Sequence, residues 1–438
     1  MFSVHLGLDD TDSEEGMCTT YLITIILQKL LKEETIMLDY PNLIRLNPNI
    51  PWKTRGNAAL CLRLKTNNPN RIFKIAKNCV IKYSESRKGK ANSGLVMLCS
   101  KQVPNEIKNF AIKCLYESVK ISELKQIIDS HEIEYFGQGT KRGLIGALAA
   151  IGNTLSSDHT YELIGYRKNN NGERGVSLTS VIKMDNCTEL STFNNIDYNN
   201  YRILITPHGR DPICFAIRGN NSKGVYKAMT MLELYEPIER FAIFRTNQGT
   251  NEHLKNKLDL NQLKSFQSGY TNGIINKKPV IKRGGHVFLE IKSKNKIINC
   301  AVYAPSITLK KAARKLEKGD SVEVGGGIRR KSKKHKRILN TEYIKINNLV
   351  QKTIIIKPIC KKCQKTMKSI GYKKGFKCKK CSIKTKESKK NTIKREIKSG
   401  LYLPIPSAQR HLTKPSDRYG KENHKMKNKP KGMWFKVF

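Results

Sequence analysis

Acidic residues are scarce in this chain. Its 438 residues hold 36 Asp and Glu against 82 Lys and Arg, a formal net charge of +46. That imbalance marks a polyanionic partner, either nucleic acid or an anionic membrane surface. The deficit is also uneven. Residues 279–438 carry 45 Lys/Arg against 9 Asp/Glu, whereas residues 1–278 carry 37 against 27. A nearly balanced front half therefore leads into a very basic back half, which favours nucleic acid. No run of about 18 apolar residues is present, which excludes a membrane-spanning helix, and no signal-peptide pattern opens the sequence. The twelve cysteines form no disulfide-like framework, so the expected setting is the reducing cytoplasm. A Gly-rich stretch near residue 140 lacks the Gly-Lys-Ser/Thr ending of a Walker loop.

At this length one ordinary core is not enough, and three or four modules are expected. Residues 1–195 read as α/β. Val4, Leu6 and Leu8 alternate like a strand with one buried face, and the strand runs into Asp9, Asp10 and Asp12. Three carboxylates so close repel one another unless a cation joins them, and hard oxygen ligands suit Mg²⁺ that also holds phosphates. An Asp-rich turn capping the next helix explains the three Asp equally well. Thr19 and Thr20 follow, hydroxyls able to accept or orient a phosphoryl group. Lys53-Thr54-Arg55-Gly56-Asn57 puts two cations and two polar groups on a turn, and Gly137, Gly139, Lys141, Arg142 and Gly143 precede a buried helix. Free N–H groups at a helix start attract phosphate, although close helix packing also explains the glycines. Together these residues suit Mg²⁺-ATP phosphoryl transfer, which needs positioning and charge neutralisation more than special side chains. Cys18 lies beside the carboxylates and reads as a small core residue rather than a nucleophile.

Residues 196–278 read as a small unit of ferredoxin-like layout: strands at Tyr201–Thr206, Phe215–Arg218 and Ala242–Arg245, with a helix at Gly224–Leu234. Polar loops end two of its strands, Thr206–Asp211 with His208, and Arg245–His253 with Asn247, Gly249 and Thr250. Residues 279–350 read as an OB barrel of four strands and a helix, with the basic loop Arg329–Arg337 tracking a phosphate backbone. At 356–385, Cys360-x-x-Cys363 and Cys378-x-x-Cys381 are separated by fourteen residues, a spacing that places four thiolates around a structural Zn²⁺. Residues 386–438 form a basic tail too polar to build a core, whose order would depend on a partner.

Four segments carry a resemblance to a known family: Asp9–Asp12 with Gly16–Thr20, Arg45–Asn57, Gly143–Ala150 and Arg245–Thr250. They resemble the archaeal isoleucine-tRNA 2-agmatinylcytidine synthetases, over nearly the whole chain. The resemblance implies a kinase-like domain, a ferredoxin-like domain, an OB domain and a zinc ribbon. It implies that agmatine is attached to C2 of the wobble cytidine of a CAU-anticodon isoleucine tRNA: ATP phosphorylates O2, the amine displaces phosphate, and ATP is consumed to AMP. It makes Thr19 a phosphorylated residue, and it gives Asp9, Asp10 and Asp12 to Mg²⁺ and the triphosphate. Lys53, Arg55, Asn57, Gly137, Gly139, Arg142 and Gly143 would assist there. Agmatine would lie against His208, Asn247, Gly249 and Thr250. The family motif commonly carries Asp after its Gly-Thr pair, where this chain has Asn251 followed by Glu252. Two other readings remain open from the residues alone, a non-catalytic OB/zinc-ribbon binding protein and an Mg²⁺-dependent nuclease.

Overall fold

The computed structural model describes residues 1–168, 174–303, 306–331, 337–371, 373–424 and 429–438. Much of the basic loop expected at 329–337 therefore lies outside the described residues. Strand Phe2–Asp9 sits at the centre of a mixed sheet, antiparallel to Ala58–Thr66 on one side and Gly94–Cys99 on the other. Both of its faces are buried, not one. Val4, Leu6 and Leu8 pack against helices Thr19–Leu30 and Pro69–Tyr83. On the other face, Gly7 lies so close to helix Gly143–Gly152 that a Cβ there would clash with the Ala147 carbonyl. Asn68 caps Pro69–Tyr83 by accepting the Arg71 N–H at 3.0 Å, with Pro at the helix start. Thr19–Leu30 has no side-chain cap.

The sheet does not end with this first unit. Asn42–Arg45 pairs in parallel with Ile238–Thr246, through Arg245 with Asn42 and Thr246 with Leu43. Beyond that junction the order continues through Thr160–Arg167, Ile213–Gly219 and Thr192–Phe193. Strand Thr160–Arg167 pairs with both Ile213–Gly219 and Ile238–Thr246, so residues from 160 onward belong to the second unit. The break expected at 195 cuts through that unit's core. With helices Leu178–Thr188 and Ser222–Thr230 packed together on one face, it is ferredoxin-like. The strand expected at Tyr201–Thr206 shrinks to Arg202–Ile203, which pairs only with Ile196–Asp197 outside the main sheet; the rest opens into the polar loop described below.

The OB barrel has five strands. Four lie within the expected span 279–350, and the fifth, Ser268–Ile281, straddles the expected boundary at 278. Asn, Gly and Lys break its alternation, so most of its fourteen residues fall within the span 196–278 expected for the preceding unit. Parallel pairing of Lys296–Val302 with Ile338–Asn348 closes the barrel around Ile275, Leu289, Val324 and Ile344. A two-stranded stem, Lys352–Ile356 with Lys389–Ile393, then carries the Cys-rich knot.

The expectation for the tail is overturned. Gly400–Tyr402 adds a sixth strand to the barrel sheet, and Phe435–Val437 pairs with Arg240–Ala242 of the main sheet. Between them the chain crosses the molecule as a strap. Arg418, 1% exposed, donates to Asp158 at 3.0 Å, and Lys414 is buried against Asp158 and Glu422. Short-range composition reads these cations as solvated, but each one finds a carboxylate. Among the described residues no helix is long and apolar enough to cross a membrane.

Candidate active site

One cavity of about 540 Å³ lies where the first unit, the ferredoxin-like unit and the strap meet. Asp9, Asp10, Asp12, Thr19, Thr20, Lys53, Arg55, Asn57, Arg142, Gly143 and His208 line it, so residues from five separate segments converge. Asp10 reaches it through a left-handed backbone, φ 54°, directly after the central strand.

Asp12 is the most connected of the three carboxylates. Its Oδ1 accepts from Thr19 at 3.2 Å and from Thr54 at 3.3 Å, and its Oδ2 accepts from Arg55 at 2.8 Å. Arg55 also donates to the Met17 and Ser13 carbonyls, which ties the cationic turn to the acidic one. Thr11 in turn donates to the Thr19 hydroxyl at 3.1 Å, giving a chain from Thr11 through Thr19 to Asp12. Asp9 and Asp10 have no salt-bridge partner among the described residues. Burial raises all three carboxyls above the usual range, with the Asp10 charge adding to it at Asp9, Arg142 opposing it at Asp10 and Arg55 opposing it at Asp12. Asp9 and Asp10, with no arginine bonded to them among the described residues, fit a bound cation better than Asp12, which already holds Arg55 at 2.8 Å. Burial pushes the Cys18 thiol up to about 11; it bonds to Thr20 at 2.9 Å and is no nucleophile.

Gly143 needs its missing side chain because a Cβ would meet the Asp9 carbonyl, and at Gly146 one would overlap the Asp9 carboxylate. Close packing accounts for the missing side chains at Gly143 and Gly146. Gly137 and Gly139 stand off the cavity wall, Gly139 in a left-handed turn against Asn92. Arg142 lies over the Trp52 ring, 4.0 Å from its centre, a cation–π contact at the rim.

Asn247, Gly249 and Thr250 are not among the residues of this cavity wall; their polar groups make contacts between the units instead. Asn247 accepts the Arg45 N–H at 2.8 Å and donates to the Arg45 carbonyl at 3.0 Å, locking the two units at the parallel junction. Gly249 donates its N–H to His411 of the strap at 2.9 Å, and the Thr250 hydroxyl bonds the Asn247 carbonyl. Asn251 accepts from Lys414 and donates to Tyr419, while Glu252 is held by Asn247, Asn153 and Ser157. A polar loop at a strand end reads equally as pocket or brace, and here it is a brace. His208 does line the cavity, its Nε2 2.9 Å from Arg202.

Several cavity residues had no assigned role in the sequence. Asp211 is buried and lines the wall, 3.5 Å from Arg174 and 4.0 Å from Arg55. Arg45, Glu162 and Arg218 form a buried ionic cluster beside it. Pro406, Ser407, Gln409 and His411 come from the strap. Asp211 was visible as the end of a polar loop; the strap residues carried no signal, because only the long-range fold brings them here.

In the Cys-rich knot, the four Sγ atoms of Cys360, Cys363, Cys378 and Cys381 all lie within 4.8 Å of one another. Tetrahedral zinc with bonds near 2.3 Å separates its sulfurs by about 3.8 Å, so the donor set fits Zn²⁺. The closed four-thiolate shell makes the ion structural.

Fold and site define a multidomain α/β enzyme whose carboxylate- and cation-lined cavity is joined to an OB barrel and a zinc ribbon. The family models for the TiaS TCKD domain, the TiaS FLD domain and the TiaS C-terminal zinc ribbon domain match residues 5–140, 141–253 and 357–397. The isoleucine-tRNA 2-agmatinylcytidine synthetase TiaS of Cenarchaeum symbiosum is 38% identical over 419 residues, covering 95% of this chain and 93% of the relative. Its counterpart in Archaeoglobus fulgidus is 35% identical over 421 residues, 96% and 98% of the two chains. A crystal structure of apo TiaS superposes with a TM-score of 0.83 at 35% identity, and one of TiaS in complex with its isoleucine tRNA, AMPCPP and agmatine with 0.82 at 32%. Each covers 95% of this chain and 97% of the other. The chain belongs to the TiaS family.

Proposed function

We propose that this chain joins agmatine to C2 of the wobble cytidine in the CAU-anticodon isoleucine tRNA, consuming ATP to AMP, so that the tRNA decodes AUA. The observation that carries this reading is the shared cavity. A phosphoryl-transfer constellation, Asp9, Asp10, Asp12, Thr19, Lys53 and Arg55, faces the same space as Asp211 and His208 of the ferredoxin-like unit. An enzyme that phosphorylates cytosine O2 and then displaces phosphate with an amine needs both sides within reach of one base.

Asp9 and Asp10 would hold Mg²⁺, and ATP supplies the phosphoryl group. The chain's own residues do the rest. Asp12 accepts the Thr19 proton, which suits a hydroxyl that is itself phosphorylated. Arg55, Lys53 and Arg142 place fixed positive charge along the cavity where phosphates lie. Asp211 offers a carboxylate to doubly cationic agmatine. The barrel and ribbon grip the tRNA electrostatically, and the cytidine is unstacked to enter. None of the twelve cysteines is in a disulfide: four form the zinc donor set and eight are free, which supports a cytoplasmic setting.

The test combines purified chain, ATP, Mg²⁺ and a transcript of the tRNA, with and without agmatine, followed by mass spectrometry of the digested nucleosides. An agmatine-dependent mass gain on one cytidine is expected. Tight binding with unchanged RNA would instead support a binding module, and cleaved RNA a nuclease.

A further inference from the structure

We propose that His411, on the C-terminal strap, accepts the proton of the incoming amine during the displacement step. This rests on the function proposed above and adds a residue to it.

His411 is half-buried in the cavity wall. Its Nδ1 lies 3.0 Å from Gln248 Oε1 and 3.1 Å from an Arg218 nitrogen. Both cannot be hydrogen bonds, because one partner accepts and the other donates. Gln248 decides the matter: its amide nitrogen donates to Glu162, so its oxygen faces the ring. The His411 Nδ1–H therefore donates to Gln248, and Arg218 lies alongside as a charge, itself held by Glu162 at 3.1 Å. That tautomer leaves Nε2 as a lone-pair acceptor with no hydrogen-bond partner among the described residues. The ring edge carrying Cδ2 and Nε2 lies over Gly56, where a Cβ would come within 3.0 Å. Only the missing side chain leaves room there.

The groups facing the ring are Arg45 and Lys53 from the first unit, Arg218 and Glu162 from the second, and Arg410 beside it in the strap. Arg45, then burial, Arg218 and Lys53, hold the imidazole well below its usual range, so it stays neutral. Agmatine presents only donors, whereas this part of the wall is rich in donors. Glu162 beside the ring is already held by Arg45, Arg218 and Gln248, while the neutral imidazole nitrogen is still able to accept.

The step balances without a further reagent. The ammonium end of agmatine first gives one proton to solvent, which frees its lone pair. The nitrogen then bonds to C2 while the C2–O bond to the phosphoryl oxygen breaks, with phosphate leaving on that electron pair, and the nitrogen must still shed a second proton. That second proton passes to Nε2 and from there to solvent. The surrounding cations also couple the base to its substrate. When the anionic phosphoryl group settles against Arg45 and Arg218 it offsets their charge, and the imidazole regains basicity. The base is weak in the empty cavity and stronger once the activated cytidine is bound.

The test uses the full-length, zinc-loaded chain with the tRNA transcript and agmatine. Two readings are taken: AMP formation with tRNA but no agmatine, and agmatinylcytidine by mass spectrometry from pH 6 to 9. His411→Ala and His411→Asn are expected to lose about 10²-fold or more in agmatine-dependent kcat, the range for a missing proton acceptor. AMP formation should fall by far less than agmatine transfer. Asn keeps the Nδ1–H donor to Gln248 but lacks Nε2, so recovery by His411→Asn would overturn the proposal in favour of a bracing role. Added imidazole should restore His411→Ala in proportion to its neutral fraction. Equal loss of AMP formation and agmatine transfer would also overturn it. If the unmodified chain makes no agmatinylcytidine, the function itself fails and the inference with it.

Discussion

Thr19 and Asp12 are 3.2 Å apart, with Thr11 behind the hydroxyl and Arg55 behind the carboxylate. The threonine proton thus has a defined acceptor, and Asp12→Asn removes it without changing shape. We expect Asp12→Asn to lower ATP turnover about 10²–10⁴-fold with the melting temperature little changed, read by AMP formation and calorimetry. A second residue sets a limit at low pH. Arg63 donates to His5 Nδ1 at 2.9 Å, and His5 Nε2 donates to the Ser100 carbonyl at 3.1 Å. Both ring nitrogens are committed in the neutral form, and burial followed by the Arg63 charge lowers the imidazole to about 4. The unfolded chain binds this proton near 6.5 and the native chain only near 4. Between those values the unfolded state holds more protons, so stability falls as pH falls, by roughly 3 kcal/mol for this group. Urea titrations at about pH 7 and about pH 4.5, on either side of most of that window, check it, and His5→Gln should flatten the difference. Arg63 also caps the end of helix Gly143–Gly152 through the carbonyls of Ile151 and Asn153, so protonating His5 strains the helix that lies against Asp9.

Helix Gly143–Gly152 shows how an element can read two ways. The turn before it reads equally as a phosphate site or as close packing, and within the helix packing is what the structure shows: a side chain at Gly146 would overlap the Asp9 carboxylate. Gly146→Ala is expected to destabilise by about 1–3 kcal/mol through overpacking and to displace Asp9. A loss of activity larger than the drop in melting temperature explains would separate the two effects. The zinc ribbon was legible down to its ligands because the determinant is local: four cysteines within 22 residues at metal-binding spacing. Chelation should release one zinc per chain and melt residues 360–385 while the main sheet keeps its transition, as followed by a chromogenic zinc assay and hydrogen exchange. The carboxylate cluster and the cationic turn were legible for the same reason. The strap was not. Its pairings join Phe435–Val437 to Arg240–Ala242, and His411 to Gln248, and nothing local in a Lys-rich tail announces a partner nearly two hundred residues away. The polar loop after Thr246 misled in the opposite sense: Asn247 has the chemistry of a ligand group but bonds the Arg45 backbone.

At the scale of the whole molecule the charge distribution divides the labour. The cavity is built by the front of the chain and closed by the strap, whereas most of the excess cation lies in residues 279–438. The ribbon exposes Lys361, Lys362, Lys379 and Lys380 around its zinc ligands, on a stem that stands off the barrel. Grip and chemistry are therefore separable in charge although they are joined in chain: the strap leaves the barrel sheet at Tyr402, crosses the cavity at His411 and ends on the main sheet. Changing all four lysines to Glu should accordingly weaken tRNA binding and flatten its salt dependence. The slope of log affinity against log salt should fall by about 0.7 for each phosphate that no longer meets a cation. At saturating tRNA the agmatine-dependent kcat should stay within a factor of about three, because the cavity is untouched. A filter-binding series across salt, paired with single-turnover product formation, reads both quantities. A fall in kcat at saturation with an unchanged slope would instead mean that the ribbon positions the cytidine, and that grip and chemistry are one function.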